Sequence, residues 1–161
     1  MFARCCPDVL VRAEDFLDVG TGAGGIAMQL CRQFPELRAV GIDVSPTALD
    51  VARIDIASAG LTDRIEIRAQ SVDTLSDVTA FDLVWVPQPF IPRATLVAAL
   101  PRLFRATRAG GCLVMPLAME GDLANLMSGG GTLAVEDALK LVAEVGFREV
   151  ATQDGVITGR R

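Results

Sequence analysis

The chain has 161 residues, of which 51% are hydrophobic, 22% charged and 5% aromatic, and its formal net charge is −5. This length is typical of a single globular domain, and the acidic balance argues against a nucleic-acid partner, because phosphates favour a basic surface. No uncharged apolar run approaches the roughly 18 residues that a membrane-spanning helix needs, and the first residues lack the apolar stretch of a signal peptide. We therefore expect a cytoplasmic protein with no membrane partner.

The residue types restrict the chemistry. The chain contains no His, which removes the commonest zinc ligand and the usual general base near neutral pH. Cys5 and Cys6 are adjacent, and Cys31 and Cys112 show no metal-ligand spacing. We predict no metal site, and the sequence identifies no catalytic residue.

Short β-rich runs alternate with helical patterns along the chain. Apolar residues at helical spacing predict helices around residues 26–34, 49–59, 96–104 and 138–145. Such alternation predicts right-handed βαβ units and a mostly parallel sheet, hence a doubly wound three-layer α/β sandwich. Seven strands are predicted, at Phe16–Val19, Ala39–Ile42, Ile65–Arg68, Phe81–Val86, Cys112–Met115, Glu149–Thr152 and Val156–Thr158.

Local signals predict where several of these elements begin and end. Ser45 is a natural N-cap, Pro46 suits a first helical position, and Gly60 follows the end of the same helix. Pro101 interrupts the third helical pattern and predicts a kinked or split helix. Only residues 153–155 separate the last two strands, which suits a hairpin and makes one strand near the sheet edge antiparallel.

The most informative stretch follows the first strand. Residues 20–25 contain four glycines and join that strand to a helix. Glycine permits positive φ and close approach of the backbone to a ligand, and the carboxyl edge of an open α/β sheet is where ligands bind. A dinucleotide-binding motif is also satisfied by the spacing of Gly20, Gly22 and Gly25. Asp43, which lies 23 residues beyond Gly20, completes that motif.

Two ligands could bind at this turn, NAD and S-adenosylmethionine, and Asp18 discriminates between them. A carboxylate two residues before the first glycine would repel a pyrophosphate in a partly buried site. S-adenosylmethionine has an α-ammonium and a sulfonium and no phosphate, so an acidic strand end favours S-adenosylmethionine over NAD.

The sequence resembles class I S-adenosylmethionine-dependent methyltransferases, whose fold is Rossmann-like. Residues 18–24 resemble the family's E/D-x-G-x-G-x-G motif, and residues 40–46 its second strand with a terminal acid. Residues 109–111 resemble its Pro-Gly-Gly turn before the fifth strand. The closing hairpin resembles the antiparallel strand that separates this family from dinucleotide folds.

The resemblance implies roles for individual residues. Asp18 would orient the methionine amino group, and Asp43 would accept hydrogen bonds from the ribose, with Val44 against the adenine. The family's adenine-contacting acid aligns with Ser71; Asp73 or the backbone of Val72 are alternatives. The turn residues that would pack against the methionine portion are Gly20, Thr21, Gly22, Ala23 and Gly24.

The loop after the fourth strand is expected to face the transferred methyl group. Three prolines around Gln88 and Phe90 predict a stiff segment. Gln88 is either a substrate-orienting amide or a solvent-facing turn residue. Trp85 and Phe90 are interpreted as packing residues first and pocket walls second, and Trp85 is included among the cofactor-binding candidates.

The whole sequence predicts a methyltransferase with a small-molecule acceptor. The alternatives are an NAD-dependent oxidoreductase and a non-catalytic S-adenosylmethionine-binding protein. We expect one domain over residues 1–161, in which residues 1–13 are the remnant of an N-terminal cap and 14–161 the cofactor-binding core. The apolar composition is compatible with a homodimer.

Two local features are also expected. One is a surface loop at residues 128–131, and the other is a solvent-exposed helical face that bears Arg93, Arg102, Arg105 and Arg108.

Overall fold

The computed structural model describes residues 5–117 and 133–161, and its framework is one seven-stranded sheet. The strand order is β3-β2-β1-β4-β5-β7-β6. β1 to β5 run parallel, and β7 is antiparallel to both of its neighbours. The strands are β1 (Asp15–Val19), β2 (Arg38–Asp43), β3 (Ile65–Ala69), β4 (Phe81–Trp85), β5 (Thr107–Pro116), β6 (Arg148–Gln153) and β7 (Val156–Arg160).

Helices cover both faces of the sheet. The helices are α1 (Pro7–Arg12), α2 (Gly25–Gln33), α3 (Pro46–Ser58), α4 (Arg93–Ala106) and α5 (Val135–Glu144). Leu96 of α4 and Val142 of α5 belong to one buried cluster. Leu10 of α1, Leu30 of α2 and Ile56 of α3 belong to a second cluster. Two cores separated by a sheet confirm the predicted three-layer sandwich, and the β6–β7 pairing confirms the hairpin.

Two predicted boundaries are confirmed at α3. Ser45 Oγ accepts a hydrogen bond from the Ala48 N–H at 3.3 Å, and Pro46 is the first helical residue. Gly60, just beyond the helix, has a φ of +67°, which is the left-handed conformation that glycine adopts readily at helix ends.

Pro101 does not split α4, so of the two predicted alternatives, a kinked or a split helix, the split helix is wrong. One helix runs from Arg93 to Ala106 with Pro101 inside it. Leu96 and Leu103 are fully buried on either side of Pro101. Burial of this apolar face holds both halves of the helix on the sheet despite the missing N–H.

The glycines before the predicted fifth strand lie inside β5, so the predicted turn at residues 109–111 is wrong. Gly110 has a φ of +77°, and the pairing of β4 with β5 shifts register between Phe81 and Leu83. A glycine with positive φ permits a bulge while pairing continues beyond it. Arg108 also belongs to β5, where it bonds Asp15 and Asp82, and not to the helical face predicted for it.

The segment before β1 packs in the helical layer. Val9 and Leu10 of α1 are buried, and the Arg12 guanidinium donates to the Gly110 carbonyl at 2.7 Å. A disulfide joins Cys6 to Cys112 of β5. Within the described ranges, no helix combines the length and apolar character needed to cross a membrane. Residues 128–131 lie outside the described ranges.

Candidate active site

A cavity of about 370 Å³ lies at the carboxyl edge of the sheet. Four chain segments converge on it because β1 to β4 are parallel and end at the same edge. Its walls are Val19 and Gly20 at the end of β1, residues 42–44 at the end of β2, residues 70–72 after β3, and residues 90–92 with Thr95 after β4. The cavity therefore lies where the segments that contain the predicted cofactor-binding residues end.

The turn after β1 has the backbone conformation that its glycines predict. Gly20, Gly22 and Gly24 have φ values of +65°, +54° and +78°, in the left-handed region that L side chains rarely adopt. A Cβ added at Gly22 would meet no heavy atom within 4 Å. Backbone conformation, and not crowding, thus requires glycine there and leaves the face of the turn open. Ala23 lies exposed in the same turn.

Asp18 lies behind this turn with an incompletely satisfied carboxylate. Its side chain is 1% exposed, and its Oδ2 accepts a hydrogen bond from Thr21 Oγ1 at 2.9 Å. Its Oδ1 has no hydrogen-bond partner among the described residues. Burial raises the pKa of Asp18 to about 7, although the hydrogen bond from Thr21 and the nearby Ala27 N–H oppose that rise. A buried oxygen of this kind fits a ligand that brings a cationic donor.

Asp43 joins two neighbouring segments while facing the cavity. Its Oδ2 accepts from the Gly22 N–H at 2.9 Å, and its Oδ1 accepts from the Ser45 N–H at 2.8 Å. An ionised carboxylate has about four lone-pair sites, so two bonds leave it able to accept from a ligand diol. Asp18, the glycine turn and Asp43, all predicted from sequence, are brought together by the fold.

Gly41, inside β2, supports the site, although no role was predicted for it from the sequence. A Cβ on Gly41 would lie 2.7 Å from Thr21 Oγ1 and 2.9 Å from Ile67 Cδ1. The Thr21 side chain therefore occupies the space above Gly41 on the adjacent strand. A glycine inside a predicted strand marks close approach of another group, and this signal could have identified Gly41.

The loop after β3 supplies Ser71 and Val72 to the cavity wall. The Ser71 hydroxyl donates a hydrogen bond to Asp73 Oδ1. Asp73 itself does not line the cavity and stands behind Ser71 in a short 3-10 turn, Val72–Thr74. Ser71, which occupies the position of the family's acid, and Asp73, one of its two alternatives, are therefore joined by a hydrogen bond.

The segment after β4 differs from its predicted arrangement. Gln88 is 1% exposed, and its Nε2 donates to the Leu133 carbonyl at 3.0 Å, so the solvent-facing alternative is wrong. Phe90 is 70% exposed and lines the cavity. Its main place is therefore in the pocket wall and not in the packed core. Trp85 is 7% exposed, packs in the cluster that contains residues of α1 and α2, and does not line this cavity.

Comparison with known proteins gives a consistent family. A family model described as "Methyltransferase domain" matches residues 16–111. The tRNA1(Val) (adenine(37)-N6)-methyltransferase of Porphyromonas gingivalis is 38% identical over 79 residues, covering 46% of this chain and 31% of the relative. The release factor glutamine methyltransferase of Gloeobacter violaceus is 30% identical over 141 residues, covering 84% and 48%. The catechol O-methyltransferase of Mycobacterium tuberculosis is 30% identical over 137 residues, covering 83% and 57%.

Solved structures share the fold. An O-methyltransferase family protein from Burkholderia thailandensis superposes with a TM-score of 0.79 at 19% identity, covering 96% of this chain and 52% of that chain. PigF, solved with SAH, superposes with a TM-score of 0.77 at 21% identity, covering 99% and 53%. This chain thus spans about half the length of the structures it matches, and between about a third and somewhat over half of the three relatives.

Proposed function

We propose that the methyl acceptor of this chain is a small molecule. The premise is that the chain belongs to the methyltransferase domain family and is a class I S-adenosylmethionine-dependent methyltransferase. The observation that carries the proposal is the composition of the cavity wall after β4. Phe90, Ile91, Pro92 and Thr95 line this side, and none of these side chains is charged.

We assign the cofactor contacts by matching its groups to the site. Asp18 binds the α-ammonium, because it offers the buried oxygen without a partner. Asp43 binds the ribose hydroxyls, because its carboxylate lines the cavity with acceptor capacity remaining. The backbone of residues 20–24 packs against the methionine portion, and Val44 and Val72 pack against the adenine. Trp85 has no place in this assignment.

S-adenosylmethionine supplies a methyl group activated by a positively charged sulfur. The chain's own residues fix where that group can be presented. Asp18 would hold the methionine end of the ligand and Asp43 its ribose, and the glycine turn between them would admit the part of the ligand that joins these two groups without a Cβ in the way. Methyl transfer depends mainly on alignment of the acceptor with the methyl carbon. The contacts of Asp18 and Asp43 with the cofactor would restrict its orientation.

An uncharged wall favours an apolar or aromatic acceptor. Phe90 exposes its ring beside the cavity, and a flat organic molecule can stack against it. The formal charge of −5 opposes approach of a polyanion such as tRNA. The named relatives act on tRNA, a release factor and catechol, and the neutral wall supports the small-molecule member of this range.

Label transfer tests the acceptor class. The protein is incubated with S-adenosylmethionine carrying a radioactive methyl group and, separately, with a small-molecule extract, bulk tRNA and ribosomal protein. We expect label in the low-molecular-weight fraction. Label confined to tRNA or to protein would contradict a small-molecule acceptor while leaving the cofactor assignment intact. The Asp43→Ala variant is the control for transfer that does not depend on the site.

A further inference from the structure

We infer that two copies of this chain associate through the outward face of α3, with the two α3 helices packed antiparallel about a two-fold axis. This face is formed by Thr47, Val51, Ile54 and Ser58, here named the α3 stripe. None of these four residues lines the cavity. Neither the cofactor nor the methyl acceptor therefore takes part in the contact.

Apolar side chains lie on two opposite sides of α3. Leu49, Ala52 and Ile56 are buried on its inner side, as expected of a helix that packs on a sheet. Val51 and Ile54 are 44% and 65% exposed. Because residues three apart adjoin on one helical face, these two side chains form a single outer surface. The outward face of such a helix is usually polar, so this surface suits contact with another protein.

The two ends of the α3 stripe continue it without a charge. Positions 47, 51, 54 and 58 recur at intervals of four, three and four residues, which is the spacing of a seam between two packed helices. All four residues are exposed. The Ser58 hydroxyl donates to the Ile54 carbonyl at 2.8 Å, so its proton keeps a partner when the surface is covered.

Charges beside the α3 stripe favour a second copy as its partner. Asp50 and Arg53 lie on the same flank of the stripe, where Arg53 Nη1 is 3.0 Å from Asp50 Oδ1. An antiparallel pair with its axis between Val51 and Ile54 brings this flank against the same flank of the copy, in reverse direction. Arg53 of each copy would then lie about 3 Å along the helix from Asp50 of the other, at 1.5 Å of rise per residue. Two symmetric ion pairs could therefore form.

The size of the α3 stripe sets the expected strength of association. Four side chains of one helix cover much less than the roughly 800 Å² per partner of a standard stable interface. We therefore expect a reversible dimer with a dissociation constant on the order of 100 µM. The ion pairs contribute mainly to the choice of partner and orientation.

Sedimentation equilibrium of the unmodified chain tests for this association. The average mass should rise from the 17.0 kDa of one chain toward that of a dimer as the concentration increases from about 10 µM to 1 mM. A mass that stays at that of one chain over this whole range would overturn the inference.

One pair of valine variants tests the apolar part of the surface. Val51→Ser should weaken dimerisation at least about tenfold, because both copies lose a central apolar contact. Val97→Ser is the matched control, since Val97 is 39% exposed on the outer side of α4, and it should dimerise like the unmodified chain. Both positions are partly exposed, and denaturant unfolding checks that both variants fold. Equal dimerisation of the two folded variants would overturn the inference.

Charge exchange tests the partner and the orientation. Asp50→Arg and Arg53→Asp should each weaken dimerisation about fivefold or more, and the double exchange should restore it to within about threefold. Asp55→Ala changes an exposed aspartate on the opposite flank of the α3 stripe and should not weaken dimerisation. A double exchange that fails to restore dimerisation, or a loss in Asp55→Ala as large as in Asp50→Arg, would overturn the antiparallel pairing.

Discussion

Asp18 combines deep burial with a carboxylate oxygen that has no partner among the described residues. Burial penalises the charged form, so its pKa is raised to about 7. An ammonium bound beside it would favour the charged form and lower that pKa. The sequence predicts Asp18 as a site residue from its position before the glycines. It cannot predict the raised pKa, because that value depends on the packing above and below the strand.

We predict that binding of S-adenosylhomocysteine strengthens as pH rises from about 6 to 8 and releases a proton near pH 7, since the ligand binds the ionised form of Asp18. Calorimetry in two buffers of different ionisation enthalpy measures this release. Asp18→Asn should bind weakly at every pH in this range. A flat affinity between pH 6 and 8, without proton release, would contradict the assignment of the ammonium to Asp18.

The same pKa predicts how the ligand-free fold responds to pH. The native pKa of about 7 lies above the usual aspartate value of about 3.9 in an unfolded chain, so the native state binds more protons between these two values. The free energy of unfolding should therefore fall as pH rises from about 4 to 7. Asp18→Asn should lack this contribution to the slope.

Gly41 makes a second residue-scale prediction. Gly41→Ala would place a Cβ 2.7 Å from Thr21 Oγ1, so the Thr21 side chain must move and its bond to Asp18 is disturbed. We expect destabilisation by about 1–3 kcal/mol, as for overpacked sites, together with weaker cofactor binding. Denaturant unfolding measures the first effect and calorimetry the second.

Gly25→Ala is the matched control for Gly41→Ala. Gly25 begins α2, has no positive φ, and a Cβ there would meet nothing within 4 Å. The control should be neutral or slightly stabilising, because alanine favours a helix more than glycine does. Equal stability of the two alanine variants would show that the Thr21 side chain adapts without cost.

At the scale of elements, the segment after β4 shows the limit of local reasoning. Three prolines predict a stiff segment, but the sequence cannot say which of its side chains points inward. Gln88 is held by Leu133, 45 positions away in the sequence, and Phe90 is left at the cavity. Pro101 shows the same limit in α4, since a local rule allows a kinked or a split helix and burial against the sheet holds one continuous helix. Ser45 and Pro46 succeed because their effect is confined to one helical turn.

Gln88→Ala tests the role of this long-range bond. The variant leaves the Leu133 carbonyl without its donor in a buried setting, so we expect a loss of about 1–3 kcal/mol in the free energy of unfolding. Thermal and denaturant unfolding measure this loss. Gln153→Ala changes an exposed glutamine on the edge strand β6 and should change stability by less than about 0.5 kcal/mol. Equal effects in the two variants would argue against a stabilising role for the Gln88 bond.

At the scale of the whole molecule, the fold follows from alternation and turn length. Alternating strand and helix patterns predict parallel units, and the three residues at 153–155 exclude a parallel crossover between β6 and β7. These features are local, so the sequence predicts the three layers and the antiparallel strand. The packing of α1 on β4 and β5 and the bulge around Gly110 depend on contacts between distant segments, and neither was predicted from the sequence.

The central claim is that the cavity at the ends of β1 to β3 binds S-adenosylmethionine through Asp43. Calorimetric measurement of the dissociation constant for S-adenosylhomocysteine, in the unmodified protein, Asp43→Ala and the exposed-site control Asp63→Ala, tests it most directly. Loss of the ribose bonds should weaken binding by about 1.5–3 kcal/mol for each charge-assisted bond, hence more than tenfold, and the control should match the unmodified protein. An unchanged dissociation constant in a folded Asp43→Ala protein would contradict the account.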